Sequence, residues 1–123
     1  MMSWEVRNLC SQPLTLVSAH LPHGRLRSER IDFEPELVIG ADEATVLDLH
    51  ARCSEIPGTA FENAFLLLAV RWQEEPWLVL VRLRVHVKDE GVPQTETKLV
   101  TVQRAGFSAR RTGSQSGSQG NCR

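Results

Sequence analysis

The chain has 123 residues, a formal net charge of −1, 41% hydrophobic residues and 24% charged residues, which fits one globular domain with a single core. The near-zero net charge gives no indication of a nucleic acid or an anionic membrane as a partner. We expect a cytoplasmic protein, because no apolar run is long enough to span a bilayer, residues 1–8 do not resemble a secretory signal, and the three cysteines are a sparse, odd set.

The first half of the sequence consists of short apolar or alternating segments separated by turn-forming residues. Alternation with a period of two is typical of β-strands, whereas proline and glycine interrupt them. Pro35 and Gly40 are accordingly predicted to end the third and fourth of these strands. The segments predicted as strands are residues 4–6, 14–21, 30–34, 37–39 and 45–51.

The strongest pattern covers residues 65–88. Apolar and other residues alternate along 77–88, and the partner segment 65–72 is apolar on both faces for most of its length. The short polar segment 73–76 between them predicts a β-hairpin. One face of the second strand is wholly apolar and consists of Trp77, Val79, Val81, Leu83, Val85 and Val87.

Centring the hairpin on residues 73–76 predicts that Trp72 lies opposite Trp77 and Val70 opposite Val79. This arrangement gathers the apolar residues on one face, which we expect to form the core. A second apolar face then remains on the other side of the hairpin and needs a cover, which would be a loop, a helical turn or another protomer.

A last strand is predicted at residues 98–102. These eight segments predict a fold of about seven short strands, and no segment has a convincing helical period. Strand number and turn spacing favour an all-β fold, an antiparallel two-sheet sandwich of the immunoglobulin-like kind. We expect this sandwich to occupy residues 1–108. Residues 109–123 are rich in Gly, Ser and Gln and predict a flexible tail.

Two sets of side chains on the hairpin are candidates for binding a partner. The apolar set is the second face of the hairpin, and the basic set is a stripe that would accept an acidic partner or simply be solvated. The apolar candidates are Phe65, Leu67, Leu78 and Leu80, and the basic candidates are Arg82, Arg84 and Lys88.

Two pairs of metal-ligating residue types have zinc-like spacing. His20 and His23 are separated by two residues, as are His50 and Cys53, and zinc prefers imidazole and thiolate ligands in tetrahedral sets. The alternative is a buried thiol and three surface histidines, because residues three apart on a strand point to opposite faces.

No motif for nucleophilic catalysis, phosphate loops or dinucleotide binding occurs in the sequence. We therefore expect a non-enzymatic binding or interaction module whose partner is another protein or a second copy of the chain. Zinc binding is the alternative, and an enzyme of unknown reaction is a further one. No cofactor other than zinc is expected.

Overall fold

The computed structural model describes residues 1–22 and 24–104, in which seven β-strands form. This part of the chain contains no helix that could cross a membrane. The predicted domain end at residue 108 and the predicted tail, residues 109–123, lie outside the described residues. The strands are β1 (Met2–Arg7), β2 (Leu14–His20), β3 (Ile31–Ile39), β4 (Ala44–Leu49), β5 (Ala60–Trp72), β6 (Glu75–Val87) and β7 (Pro93–Arg104).

The strands form two antiparallel sheets. One has two strands in the order β1-β4, and the other has five in the order β3-β2-β5-β6-β7. The prediction of an all-β fold with two antiparallel sheets and about seven strands is thereby confirmed.

The core lies between the two sheets, on what we call the inner face of the five-stranded sheet. The predicted apolar face of β6 is buried there along its whole length, from Trp77 to Val87. The two-stranded sheet contributes Val6, Leu47 and Leu49 to the same cluster. It is also joined to β7 by a hydrogen bond, since Trp4 Nε1 donates to Thr95 Oγ1 over 3.2 Å.

The predicted register of the hairpin is wrong by two residues. In the structure Val70 lies opposite Trp77 and Trp72 opposite Glu75, so the turn contains only Gln73 and Glu74. Both turn residues have positive φ, 53° and 64°, as in the type I′ turns that match the twist of paired strands. Because side chains alternate between the two faces with a period of two, a shift of two residues keeps each side chain on its predicted face. The predicted core face is therefore still correct.

The predicted break at Pro35 is also wrong, because β3 continues through this residue from Ile31 to Ile39. Proline lacks the N–H that a ladder needs, and an edge strand can tolerate this loss. β3 is an edge strand that pairs only with β2 in its sheet. Its pairing with β2 is shifted near Leu16, where the register is irregular.

Asn8 connects the end of β1 to the turn between β3 and β4. Its side chain is fully buried, and Nδ2 donates to the carbonyl oxygens of Gln12, Ile39 and Gly40 over 2.8, 3.0 and 3.3 Å. Its Oδ1 accepts the Cys10 N–H over 2.9 Å. One buried amide thus satisfies several backbone groups that have no strand partner.

Replacing Gln73 and Glu74 by Asn and Gly should stabilise the protein by about 1 kcal/mol, because glycine and asparagine adopt positive φ at little cost. Urea unfolding followed by tryptophan fluorescence measures this change. The control is Glu90→Gly in the turn between β6 and β7, where φ is not positive, and there no gain is expected. An equal gain in both variants would contradict the turn assignment.

Asn8→Ala should lower the free energy of unfolding by about 3 kcal/mol, since it leaves a buried N–H and several carbonyl oxygens without their partner. The same urea experiment measures the loss. Gln12→Ala is the matched control, because the side chain of Gln12 is exposed and only its carbonyl takes part. A loss below about 1 kcal/mol for Asn8→Ala would contradict the anchoring role.

Candidate functional site

The side of the five-stranded sheet that faces away from the core, here called the outer face, carries the predicted apolar set. Across β5 and β6, Phe65 lies opposite Arg82, Leu67 opposite Leu80, and Ala69 opposite Leu78. These side chains are half-buried. Since β1 and β4 cover the inner face and the other strands lie within the sheet, no strand of the described chain covers the outer face.

The neighbouring strands give the apolar group polar borders. On β2, His20 lies opposite Leu67 and Ser18 opposite Ala69. On β7, Thr101 lies opposite Leu80, while Leu99, which is 49% exposed, lies opposite Arg82. The group is therefore an apolar strip two to three strands wide, bordered by hydroxyl and imidazole groups.

Two of the three predicted basic residues, Arg82 and Arg84, lie on β6 beside this strip. Arg82 has a buried Nε without a hydrogen-bond partner in the described residues, and it forms no ion pair with them. Arg84 is bound to Glu62 over 3.5 Å. Lys88 lies beyond the end of β6, where its N–H donates to the Val92 carbonyl over 2.9 Å.

The predicted zinc ligands are placed on different elements. His20 is on the outer face opposite Leu67, His50 is exposed just after β4, and Cys53 is a free thiol half-buried against the core. His23 lies outside the described residues. Among all the residues that the structure describes, no three His, Cys, Asp or Glu side chains form a group that could hold a metal ion. Zinc binding through the four-residue set stays a prediction.

A further group of charged residues was not predicted from the sequence. The loop between β2 and β3 pairs with the segment after β4 through an antiparallel bridge between Arg27 and Arg52. Beside this bridge is a cleft of about 350 Å³, here called the basic cleft. Its polar lining consists of Arg27, Ser28, Glu29, Arg30, His50 and Arg52. The arginines at 25–30 are visible in the sequence, but the approach of Arg52 depends on the fold.

A second contact joins the same two segments. The guanidinium of Arg25 bonds the Glu55 carboxylate over 3.1 Å and lies 4.3 Å from the centre of the Phe61 ring. The hydrogen bond from Arg25 holds the pKa of Glu55 below its usual range. The ion pair and the ring contact together fix the position of the β2–β3 loop.

No protein-family model matches the chain, and neither a curated protein nor a solved structure is significantly similar to it. What the protein does must therefore be argued from its own surfaces.

The pH dependence of stability should reveal the Arg25–Glu55 pair. Because the pKa of Glu55 is lowered by folding, its contribution is present above the unfolded-state pKa and is lost as pH falls through the folded-state value. Glu55→Gln should therefore lower the thermal midpoint at pH 7. The difference from wild type should shrink as pH falls below the ordinary pKa of a glutamate, about 4.3, and vanish once pH is below the lowered folded-state pKa of Glu55. Thermal unfolding across this range measures the effect.

The control is a double-mutant cycle with Arg25→Gln, in which the second substitution should add little to the first at pH 7. A difference between Glu55→Gln and wild type that does not change with pH would contradict the assignment.

Proposed function

We propose that this protein is a non-enzymatic binding module that docks a segment of another protein on its outer face. The observation that carries the proposal is Arg82, whose Nε is buried at the border of the apolar strip without a hydrogen-bond partner among residues 1–22 and 24–104. A buried donor that lacks an acceptor is costly. A partner that supplies a carboxylate beside apolar side chains would satisfy Arg82 and cover the strip together.

The composition of the outer face supports this proposal. Leu67, Leu78 and Leu80 are large apolar side chains on a sheet surface that no described strand covers, and such patches mark interaction sites. The centres of protein–protein interfaces are also enriched in arginine, which binds carboxylates through bidentate hydrogen bonds. The apolar strip would supply affinity, and Arg82 would select an acidic partner.

A second copy of this chain would offer Arg82 no free carboxylate from three positions on its own outer face. The carboxylates of Glu36, Glu62 and Glu96 on the outer face are already bound to Arg71, Arg84 and Lys98. Face-to-face association would therefore bring no free carboxylate from these positions to Arg82. A different protein with an unpaired Asp or Glu meets the requirement directly.

The proposal also includes a relation to immunoglobulin-like sandwiches at the level of layers, since two antiparallel sheets enclose one core in both. The connections differ. The third strand of constant-type immunoglobulin domains pairs with the sixth, whereas β3 here pairs with β2. The shared architecture carries no function by itself, so the argument for binding depends on the outer face alone.

Selection from a displayed library of random peptides tests the proposal. Wild-type protein is the bait, and clones that also bind the Leu80→Glu variant are discarded. We expect enriched peptides that combine Asp or Glu with apolar residues. Calorimetry should show that a synthesised peptide loses measurable binding to Leu80→Glu and to Leu78→Gln. Its affinity for Arg82→Gln should fall about tenfold, the loss of one charged hydrogen bond.

The matched control is Val46→Glu, the same kind of change on the exposed surface of the two-stranded sheet, where Val46 is 62% exposed. It should retain full affinity, and circular dichroism should show that every variant folds. Failure to enrich peptides that distinguish wild type from Leu80→Glu would overturn the proposal. So would sedimentation showing a dimer that Leu80→Glu dissociates, because the occupant would then be a second copy.

A further inference from the structure

The basic cleft places two arginines directly beside each other. The N–H of Arg27 donates to the Arg52 carbonyl over 3.0 Å, and the N–H of Arg52 donates to the Arg27 carbonyl over 2.7 Å. Residues that exchange hydrogen bonds across an antiparallel bridge point their side chains to the same side, with Cβ atoms about 5 Å apart. Both side chains accordingly line the basic cleft.

The charges of these arginines are not balanced by ion pairs within the described part of the chain. Neither Arg27 nor Arg52 forms an ion pair with a described residue, although the Glu29 carboxylate also belongs to the lining. The third arginine, Arg30, is already bound to Asp32 over 2.9 Å. Like charges directly opposite each other on an antiparallel pair are destabilising. An anion between the two guanidinium groups would remove this repulsion.

The backbone that carries the arginines is firmly held. In the β2–β3 loop, Leu21 and Leu26 are fully buried, and Leu26 directly precedes Arg27. Ser28 closes the loop, since its N–H donates to the Leu21 carbonyl over 2.9 Å and its Oγ accepts the Leu21 N–H over 3.0 Å. These contacts set the backbone at Arg27, and the Arg27–Arg52 bridge sets the backbone at Arg52 before a ligand arrives, which lowers the cost of binding.

We infer that the basic cleft binds a phosphoryl group, with Arg27 and Arg52 as its principal ligands. A phosphate dianion matches the two unpaired charges and offers several oxygens to the planar donor forks of arginine. His50, at the side of the cleft, is placed to add another donor. The volume of about 350 Å³ exceeds that of phosphate itself, so a small phosphate monoester is the class of ligand that fits.

A ¹H–¹⁵N NMR titration with inorganic phosphate tests this site, with sodium chloride added to hold the ionic strength constant. The amides of residues 27–30 and 50–52 should shift and saturate. Arg27→Gln and Arg52→Gln should each weaken phosphate binding about tenfold, because each removes a charged hydrogen-bonding partner. Arg7→Gln is the control, since Arg7 lies on β1 and contacts Glu5 and Asp42, and it should bind like wild type.

The source of the phosphoryl group is distinguished by two further ligands, glycerol phosphate and a single-stranded oligonucleotide. Glycerol phosphate should bind at least as tightly as inorganic phosphate. An oligonucleotide that binds more tightly, with an affinity that falls steeply with salt, would overturn the monoester assignment in favour of a nucleic-acid backbone. Equal shifts with chloride alone, or equal weakening by Arg7→Gln, would overturn the site itself.

Arg27→Gln and Arg52→Gln also test the repulsion between the two arginine side chains. Since glutamine keeps the backbone bridge and removes one of two like charges, the thermal midpoint in phosphate-free buffer should not fall below that of wild type. A lower midpoint for both variants would contradict the claim that the pair is uncompensated. The outer face takes no part in this experiment, so its result is independent of the proposed function.

Discussion

The pairing of β5 with β6 is the constraint on which the rest of the structure depends. These are the two longest strands, 13 residues each, and they lie at positions three and four of the five-stranded sheet. Their register determines which side chains enter the core and which form the outer face. The two-residue turn at Gln73 and Glu74 determines that register, and it does so at residues for which positive φ is costly. Burial of β6 from Trp77 to Val87 offsets this cost, because a slip by one residue would expose that whole face.

The unequal size of the two sheets explains why no described strand covers the outer face of the larger sheet. The sheet of β1 and β4 has only two strands, and its apolar residues are used on the inner face, where Val6, Leu47 and Leu49 are buried. β5 and β6 are nevertheless apolar on both sides over much of their length. A strand buried on both faces has this composition, whereas the described strands bury only one. Asn8 reinforces the choice of face, since its hydrogen bonds fix the end of β1 to the β3–β4 turn.

The sequence was sufficient to predict the faces of the hairpin, because alternation along a strand depends only on neighbouring residues. It was not sufficient for the register, since Gln73 and Glu74 lack the Asn-Gly signal of a type I′ turn. Nor was it sufficient for β3, where Pro35 is tolerated only because the strand lies at an edge. The basic cleft could not be predicted at all. Arg27 and Arg52 are far apart in sequence and meet through a single bridge, which no local pattern indicates. Nor does the spacing of His20 to His23 and of His50 to Cys53, which suggested zinc, indicate that His20 lies at the end of β2 and His50 just after β4.

Arg82 and the Arg27–Arg52 pair, which form no ion pair with a described residue, lie in different surroundings, and their interactions with a ligand therefore depend differently on salt. Arg82 is half-buried beside leucines, where a charge interaction is screened little by salt but depends on close apolar contact. Arg27 and Arg52 are exposed, so an anion between them competes with water and with every other anion in solution. Affinity at the basic cleft must therefore decline with ionic strength, while affinity at the outer face, which depends mainly on buried apolar area, changes much less. Salt concentration thus distinguishes a ligand bound at one site from a ligand bound at the other without any substitution in the chain.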